Sequence, residues 1–366
     1  MMTPFPYEII ASKEMFYGRD DEIKEMLSHI KYSTNILLFS KRRMGKSTLI
    51  QNVLNSLSDE YIGIYIDIYN IITAQDFGSL LLNGITASSK GDVLKSIKKL
   101  SKIFKRVSVE PTFDVSTGKM GIKPSVSHLS FEDQLEDAFN ALFELSKTKK
   151  VVLAIDEFQQ ITSIKDKKID ASLRKYMQEA HNISYIFAGS KRNLLNSLFE
   201  YKSPLYAMAT PISLGALKLQ DIYNYSKQYL NITKDIVEYL YEKADKETKL
   251  IQMILHRLYI DKKRFSIIDK DSIDIIMNEI LLSKNDHYKA LFEILSTNQK
   301  KAFKILSKHG EGLYSNDILY AENISRASMQ SSLKQLYAKE FIDKDDNKYF
   351  IPDRAFELWA IKYLYF

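Results

Sequence analysis

Ile36-Leu37-Leu38-Phe39-Ser40-Lys41-Arg42-Arg43-Met44-Gly45-Lys46-Ser47-Thr48 is the stretch on which the fold turns. Its first four residues are apolar and of strand length, and Leu49, Val53, Leu54 and Leu57 continue it at helical spacing. Strand, short polar loop and helix, in that order, are what a phosphate-binding P-loop requires. Backbone N–H groups from Ser40 through Gly45, and those opening the helix at Lys46, Ser47 and Thr48, are expected to face an anion. The helix dipole favours negative charge at that end. Lys46 is expected to reach the β- and γ-phosphates of ATP, and Ser47 to place its hydroxyl on Mg²⁺. Ser40 stands where the pattern G-x-x-x-x-G-K-[ST] has its first glycine, and a small residue fits there if its φ is negative.

About 110 residues further on, Val151-Val152-Leu153-Ala154-Ile155-Asp156-Glu157 delivers two carboxylates at the end of an apolar strand. Open α/β sheets bind ligands at that end of their strands. Asp156 is expected to hold Mg²⁺ and Glu157 to polarise the attacking water. Ser184 to Ala188 reads as the next strand and ends in Gly189-Ser190-Lys191-Arg192. Ser190 is the candidate sensor between phosphate and water, or else the cap of a helix from Asn193 to Phe199.

From Asn35 to about Leu217, apolar runs of strand length alternate with helical patterns: Ile36–Phe39, Tyr61–Ile68, Val151–Ile155, Tyr185–Ala188 and Ile212–Leu214. Runs buried on both faces indicate a parallel sheet covered by helices. Helical stretches are expected over Gln75–Ala87, Asp92–Phe104 and Phe131–Ser146. Val107–Glu110 and Gly121–Pro124, flanking Ser116-Thr117-Gly118-Lys119, suggest an inserted β-hairpin. After Leu217 the strand signal stops, and helical patterns run over Leu219–Leu230, Lys234–Lys243, Glu247–Lys262 and Asp271–Leu282. Further helices over Tyr288–Leu295, Gln299–Ser307, Ser315–Tyr320 and Ser325–Ala338 precede a hairpin across Asp345-Asp346-Asn347, the outline of a winged helix. The expected division is a P-loop core over 1–217 with an insertion at about 90–126, a helical lid over 218–285 and a winged helix-turn-helix over 286–366.

These residues resemble the archaeal-type ATPases, P-loop proteins of the AAA+ and STAND branch related in layout to origin-recognition ATPases. The matching segments are Phe16-Tyr17-Gly18-Arg19-Asp20-Asp21-Glu22, Lys41 to Ser47, Leu153 to Phe158, Ala188-Gly189-Ser190 and Ser203-Pro204-Leu205-Tyr206. The resemblance runs from about Met15 to Trp359 and implies an α/β core, a lid and a winged helix. It also implies that Tyr17, Gly18 and Arg19 line the adenine side; the residues alone also allow Arg19 a surface salt bridge to Asp20 or Glu22. In related chains Pro-Leu-Tyr is followed by Gly-Arg, a candidate arginine finger, whereas this chain has Tyr206-Ala207-Met208-Ala209. Methionine cannot stabilise transition-state charge. Either Arg192 or another arginine substitutes, or turnover is slow and the chain works as a nucleotide switch.

With 366 residues, 45% of them hydrophobic and 27% charged, the chain can bury large cores. The absence of cysteine excludes disulfides and thiolate chemistry. The start, Met1-Met2-Thr3-Pro4-Phe5-Pro6, does not read as a leader, and no apolar run spans a bilayer, so a cytoplasmic location without membrane contact is expected. The net charge of +6 permits nucleic acid without arguing for it. Arg326, Gln330, Lys334 and Gln335 share one face of the expected recognition helix, with Lys344 and Lys348 on the wing, but Glu340, Asp343, Asp345 and Asp346 oppose phosphate contact. Lys90, Lys95, Lys98, Lys99, Lys102, Lys105 and Arg106 form a basic segment, read first as a solvated helix face. Two functions fit: an ATPase acting on DNA, or a STAND-type signalling or defence switch in which ATP binding drives assembly, as a homo-oligomer or with a partner, and the winged helix contacts the core or a partner protein. Trp359 is expected to anchor the last helix.

Overall fold

The computed structural model describes residues 3–88, 100–114, 119–126, 128–165, 168–179, 182–345 and 348–365. Most of the expected helix Asp92–Phe104, with Lys90, Lys95, Lys98 and Lys99, lies outside these residues, as do Ser116-Thr117-Gly118 and Asp346-Asn347. The chain divides into two compact units. One comprises Arg19–Ser40 and Lys46–Leu214; the other comprises Met1–Gly18, Lys41–Gly45 and Gly215–Phe366.

The first unit is built on five parallel strands: β1 (Ile36–Ser40), β2 (Tyr61–Asp67), β5 (Lys150–Asp156), β6 (Ile183–Gly189) and β7 (Thr210–Leu214). They lie in the order β2-β5-β6-β1-β7. All five expected runs are strands, and the three inner ones are almost wholly buried, because helices cover both faces. Between β2 and β5 the antiparallel hairpin β3 (Ser108–Asp114) and β4 (Lys119–Ser125) is present as expected. Edge strand β7 pairs with β1 through Leu37 opposite Pro211, and Thr210 N donates to the Asn35 carbonyl. Helices α1 (Asp20–Lys31), α2 (Lys46–Asn55), α3 (Ala74–Ala87), α4 (Phe131–Ser146), α5 (Ile169–Glu179) and α6 (Arg192–Ser197) surround the sheet. The unit's core joins Phe77, Leu81 and Ile85 of α3 to Leu135, Phe139 and Leu142 of α4 and to strand residues such as Leu153 and Phe187. Thr73 caps α3 with a reciprocal Asp76 capping box, and Ser130 caps α4, so both helices start where a short oxygen can satisfy their first N–H groups.

The second unit is helical. Helices α7 (Leu219–Ser226), α8 (Lys234–Lys243), α9 (Thr248–Ile260) and α10 (Lys270–Ser283) come first. They are followed by α11 (Asn285–Glu293), α12 (Thr297–His309), α13 (Asn316–Ala321) and α14 (Arg326–Ala338). The wing β8 (Asp343–Asp345) with β9 (Lys348–Phe350), and then α15 (Arg354–Tyr363), end the chain. Helices α12, α13 and α14 followed by an antiparallel ribbon form the winged helix that the pattern predicts. Trp359 of α15 is buried as expected, with Phe356 at 5.7 Å and Tyr288 at 5.9 Å between ring centres, and its indole N–H donates to Asn285 at 3.0 Å. Trp359→Ala is expected to destabilise this unit by about 3–5 kcal/mol through the cavity it leaves. Denaturant unfolding followed by far-UV circular dichroism measures this, and a loss below ~1 kcal/mol would show that the anchor lies elsewhere. No helix among the described residues is long and apolar enough to cross a membrane.

Candidate functional site

Strand β1 leads into the loop, and Lys46 and Ser47 open α2 on its far side. The registers Asp67 opposite Asp156 and Phe39 opposite Gly189 bring the C-terminal ends of β1, β2, β5 and β6 to one edge of the sheet. Asp156, 1% exposed, is the hub there. It accepts from the Lys46 ammonium, from Ser47 Oγ at 2.6 Å, from Tyr65 Oη at 3.0 Å and from the Glu157 N–H at 2.8 Å. Four donors thus converge on the two oxygens of this one carboxylate.

Lys46 is buried, with only 6% of it exposed. Asp156 draws the ammonium inward, and Glu157 Oε1 lies 3.2 Å away. Burial pulls the Lys46 pKa below the ordinary lysine value, against the opposing pull of Glu157. Burial is also the largest single effect on Glu157, in the direction of a raised pKa. Lys46, Gln159 and Ser190 together outweigh it, so the carboxyl stays below its usual range and ionised. Burial pushes the Tyr65 phenol up to about 12, so it remains a donor to Asp156 at neutral pH.

Glu157 occupies the left-handed region at φ 55° and leads into the 3₁₀ turn Phe158–Ser163. A glutamate holds that conformation only where its surroundings over-determine it. Ser190 Oγ donates to Glu157 Oε2 at 3.1 Å, and the residue that leads α6 is Lys191, so the structure sets Ser190 toward Glu157 and not on the helix end. Arg192 opens α6 with its guanidinium 4.4 Å over the Phe39 ring. Met208 is partly buried on the first core, and its carbonyl accepts from Asn35 at 2.8 Å, which gives it a structural place. Beside Glu157 a cleft of about 640 Å³ is lined by Asp67, Tyr69, Asn70, Ile71 and Asp76.

The remaining expected residues divide between the units. In the first, Ser40 is the buried last residue of β1, and Thr48 lies in α2 with its carbonyl accepting from Asn52. Arg19 is also buried there and meets Glu22 at 2.8 Å, which is the pairing the residues alone allowed. In the second, Tyr17 stacks on Tyr225 at 4.0 Å, and its hydroxyl accepts from Gln252 at 3.0 Å. Gly18 has φ 70° with Asp221 against it; a Cβ there would lie 2.9 Å from the aspartate Cβ. Lys41 lies over Phe350 at 4.7 Å, and Arg42 pairs with Glu340. Arg43, at φ 68°, pairs with Asp353, stands 3.8 Å from Glu247, and accepts at its carbonyl from the Lys249 N–H. Burial pushes Glu247 up to about 7, opposed mainly by Arg43. Met44 Sδ is 4.0 Å from the Thr248 hydroxyl, and Gly45 has φ 86°.

Sequence reasoning missed Tyr65, Asp67 and Gln159. Tyr65 and Asp67 sit two residues apart on one face of β2, a polar pair at a strand end that is itself a signal. Ser47 Oγ and Asp156 together offer a hydroxyl and a carboxylate, the hard oxygens that suit Mg²⁺, so the residues present fit that ion.

A five-stranded parallel sheet carrying a phosphate-loop helix and an acidic strand end is the architecture of a P-loop ATPase domain. The chain belongs to the family described as "ATPase domain predominantly from Archaea", whose profile matches residues 16–255, and the profile "Probable winged helix domain" matches 286–362. An uncharacterized ATP-binding protein of Methanocaldococcus jannaschii is 23% identical over 350 residues, covering 90% of this chain and 99% of that one. Among solved structures, the Walker-type ATPase of Pyrococcus abyssi superposes with a TM-score of 0.66 at 18% identity, over 98% of this chain and 100% of that one. The Aeropyrum pernix ORC2 protein, solved as ADPNP–ADP complexes, gives a TM-score of 0.57 at 13% identity, over 98% and 96% of the two chains. The resemblance read from the P-loop and the Phe16–Glu22 segment is thereby confirmed.

Proposed function

We propose that this chain binds ATP with Mg²⁺ and hydrolyses it to ADP and phosphate, using nucleotide state to set the lid and winged helix. The observation that carries this reading is the convergence of Lys46, Ser47, Asp156, Glu157 and Ser190 on one sheet edge. Bound Mg²⁺ would offset phosphate charge, with Ser47 and Asp156 as its protein ligands. Lys46 leaves its carboxylates for the phosphates. Glu157, held ionised, then takes the proton from the attacking water, and Ser190 keeps Glu157 oriented. Tyr17, Gly18 and Arg19 serve the adenine side, and residues 40–48 cradle the phosphates. The working division keeps 1–217 as core, 218–285 as lid and 286–366 as winged helix. Phosphate release measured with and without Mg²⁺ tests the activity; a folded chain that binds ATP yet releases none is a switch without turnover.

With Met208 in the finger position, basal turnover is expected to be low and to rise with a partner or DNA, not with protein concentration alone. A high rate that grows with concentration and survives Arg192→Ala would reveal an unassigned arginine acting between copies. Arg326, Gln330 and Lys334 are exposed at four-residue spacing on one face of α14, which favours DNA as the winged helix's partner; Gln335 is exposed too but accepts from Gln299 around the helix. If they meet DNA, affinity falls steeply with salt, and Lys334→Ala lowers the log–log slope by roughly one. Binding that ignores salt would favour the second reading, a switch whose winged helix meets protein, as the partly exposed acids Glu340, Asp343 and Asp345 suggest.

A further inference from the structure

Gln159 lies two residues after Glu157 in the 3₁₀ turn and is 2% exposed. Its Nε2 donates to Glu157 Oε2 at 2.5 Å, the same oxygen that accepts from Ser190 at 3.1 Å, while Oε1 faces Lys46. The amide cannot be turned the other way, because its oxygen would then meet a carboxylate oxygen with no proton between them. With Nε2 committed to Glu157, Gln159 Oε1 is buried without a hydrogen-bond partner. It lies against Gly189, where an added Cβ would come within 2.1 Å of it. A buried amide with one end unpaired is costly, and the end that is paired is the one on Glu157. The left-handed backbone of Glu157 does not by itself aim its side chain, so the carboxylate depends on its tethers.

We infer that Gln159 is a positioning residue for Glu157: together with Ser190 it fixes Oε2, leaving Oε1 to the water once Lys46 engages phosphate. Gly189 is part of the same device, since only a residue without a side chain admits the buried amide there. The inference rests on reading Glu157 as the group that activates water.

Gln159→Met removes the donor and keeps the length of the side chain. Its kcat for ATP is expected to fall between about tenfold and a hundredfold, with KM and ATP affinity within about twofold, because a misaimed base harms chemistry and not binding. Added to Glu157→Gln, the same change should cost less than about twofold more in single-turnover assays, since it acts through Glu157. Gly189→Ala leaves Gln159 intact but displaces it, and should reproduce the kcat loss; it carries the test if Gln159→Met does not fold. A wild-type kcat in both Gln159→Met and Gly189→Ala overturns the inference, as does an equal fractional loss in the Glu157→Gln background. Wild-type turnover in Glu157→Gln itself would instead mean that the reading of Glu157 has failed.

Discussion

Lys46→Ala is expected to weaken ATP binding by about a hundredfold or more, because it removes the charge-assisted contacts to phosphate. The structure adds a second effect that phosphate chemistry alone does not contain. Lys46 also offsets part of the charge of Asp156 and Glu157 in a buried place, and breaking such a pair costs up to about 3–5 kcal/mol when no other group answers. Here Ser47, Tyr65 and the Glu157 N–H still donate to Asp156, and Gln159 and Ser190 still donate to Glu157, so the cost should be smaller and the fold kept. Calorimetric titration with a non-hydrolysable ATP analogue, on protein shown to be folded by circular dichroism, measures the first effect. Unchanged affinity in folded Lys46→Ala protein would end the phosphate-loop assignment.

Glu157→Gln should leave ATP affinity within a few-fold of wild type while turnover falls by about 10²–10⁴, the usual worth of a general base. The amide keeps the shape of the side chain but cannot take a proton. Its carbonyl oxygen can stand where Oε2 does and keep accepting from Gln159 and Ser190, which turns the N–H₂ to the Oε1 position facing Lys46. Phosphate release and binding of a fluorescent nucleotide, measured on one preparation, separate chemistry from binding. Persistence of wild-type turnover would move the water-activating role to another group.

Elements whose signals are local could be read directly. Strands β1, β5 and β6 are continuous apolar runs, and α4 begins and ends at the residues expected, because Ser130 marks its start and its apolar stripe stops at Leu145. The helix expected to reach Leu230 ends at Ser226: Leu230 and Ile232 are buried all the same, so the apolar pattern outlives the helix that carries it. Helices α1 and α5 went unread. The acidic start of α1 attracts attention as part of a motif, and only Ile169, Leu173 and Met177 of α5 are buried, a thin stripe. At the site, Lys46, Ser47, Asp156, Glu157 and Ser190 were legible because each follows a strand end or opens a helix. The burial of Lys46 was not, since it depends on carboxylates about 110 residues away. Alternation along β2 puts Tyr65 and Asp67 on one face, but what that face meets follows from the register of β2 on β5, and Gln159 owes its place to a glycine on the neighbouring strand.

Pro211 gives β7 a consequence for assembly. Thr210 directs its N–H toward β1, so alternation along the strand turns the next nitrogen, that of Pro211, outward, where it has no hydrogen to donate. An incoming strand seeking to extend the sheet there would meet a gap in the ladder at the second residue of a five-residue edge. A missing donor on so short an edge disfavours growth of the sheet by strand addition on that side.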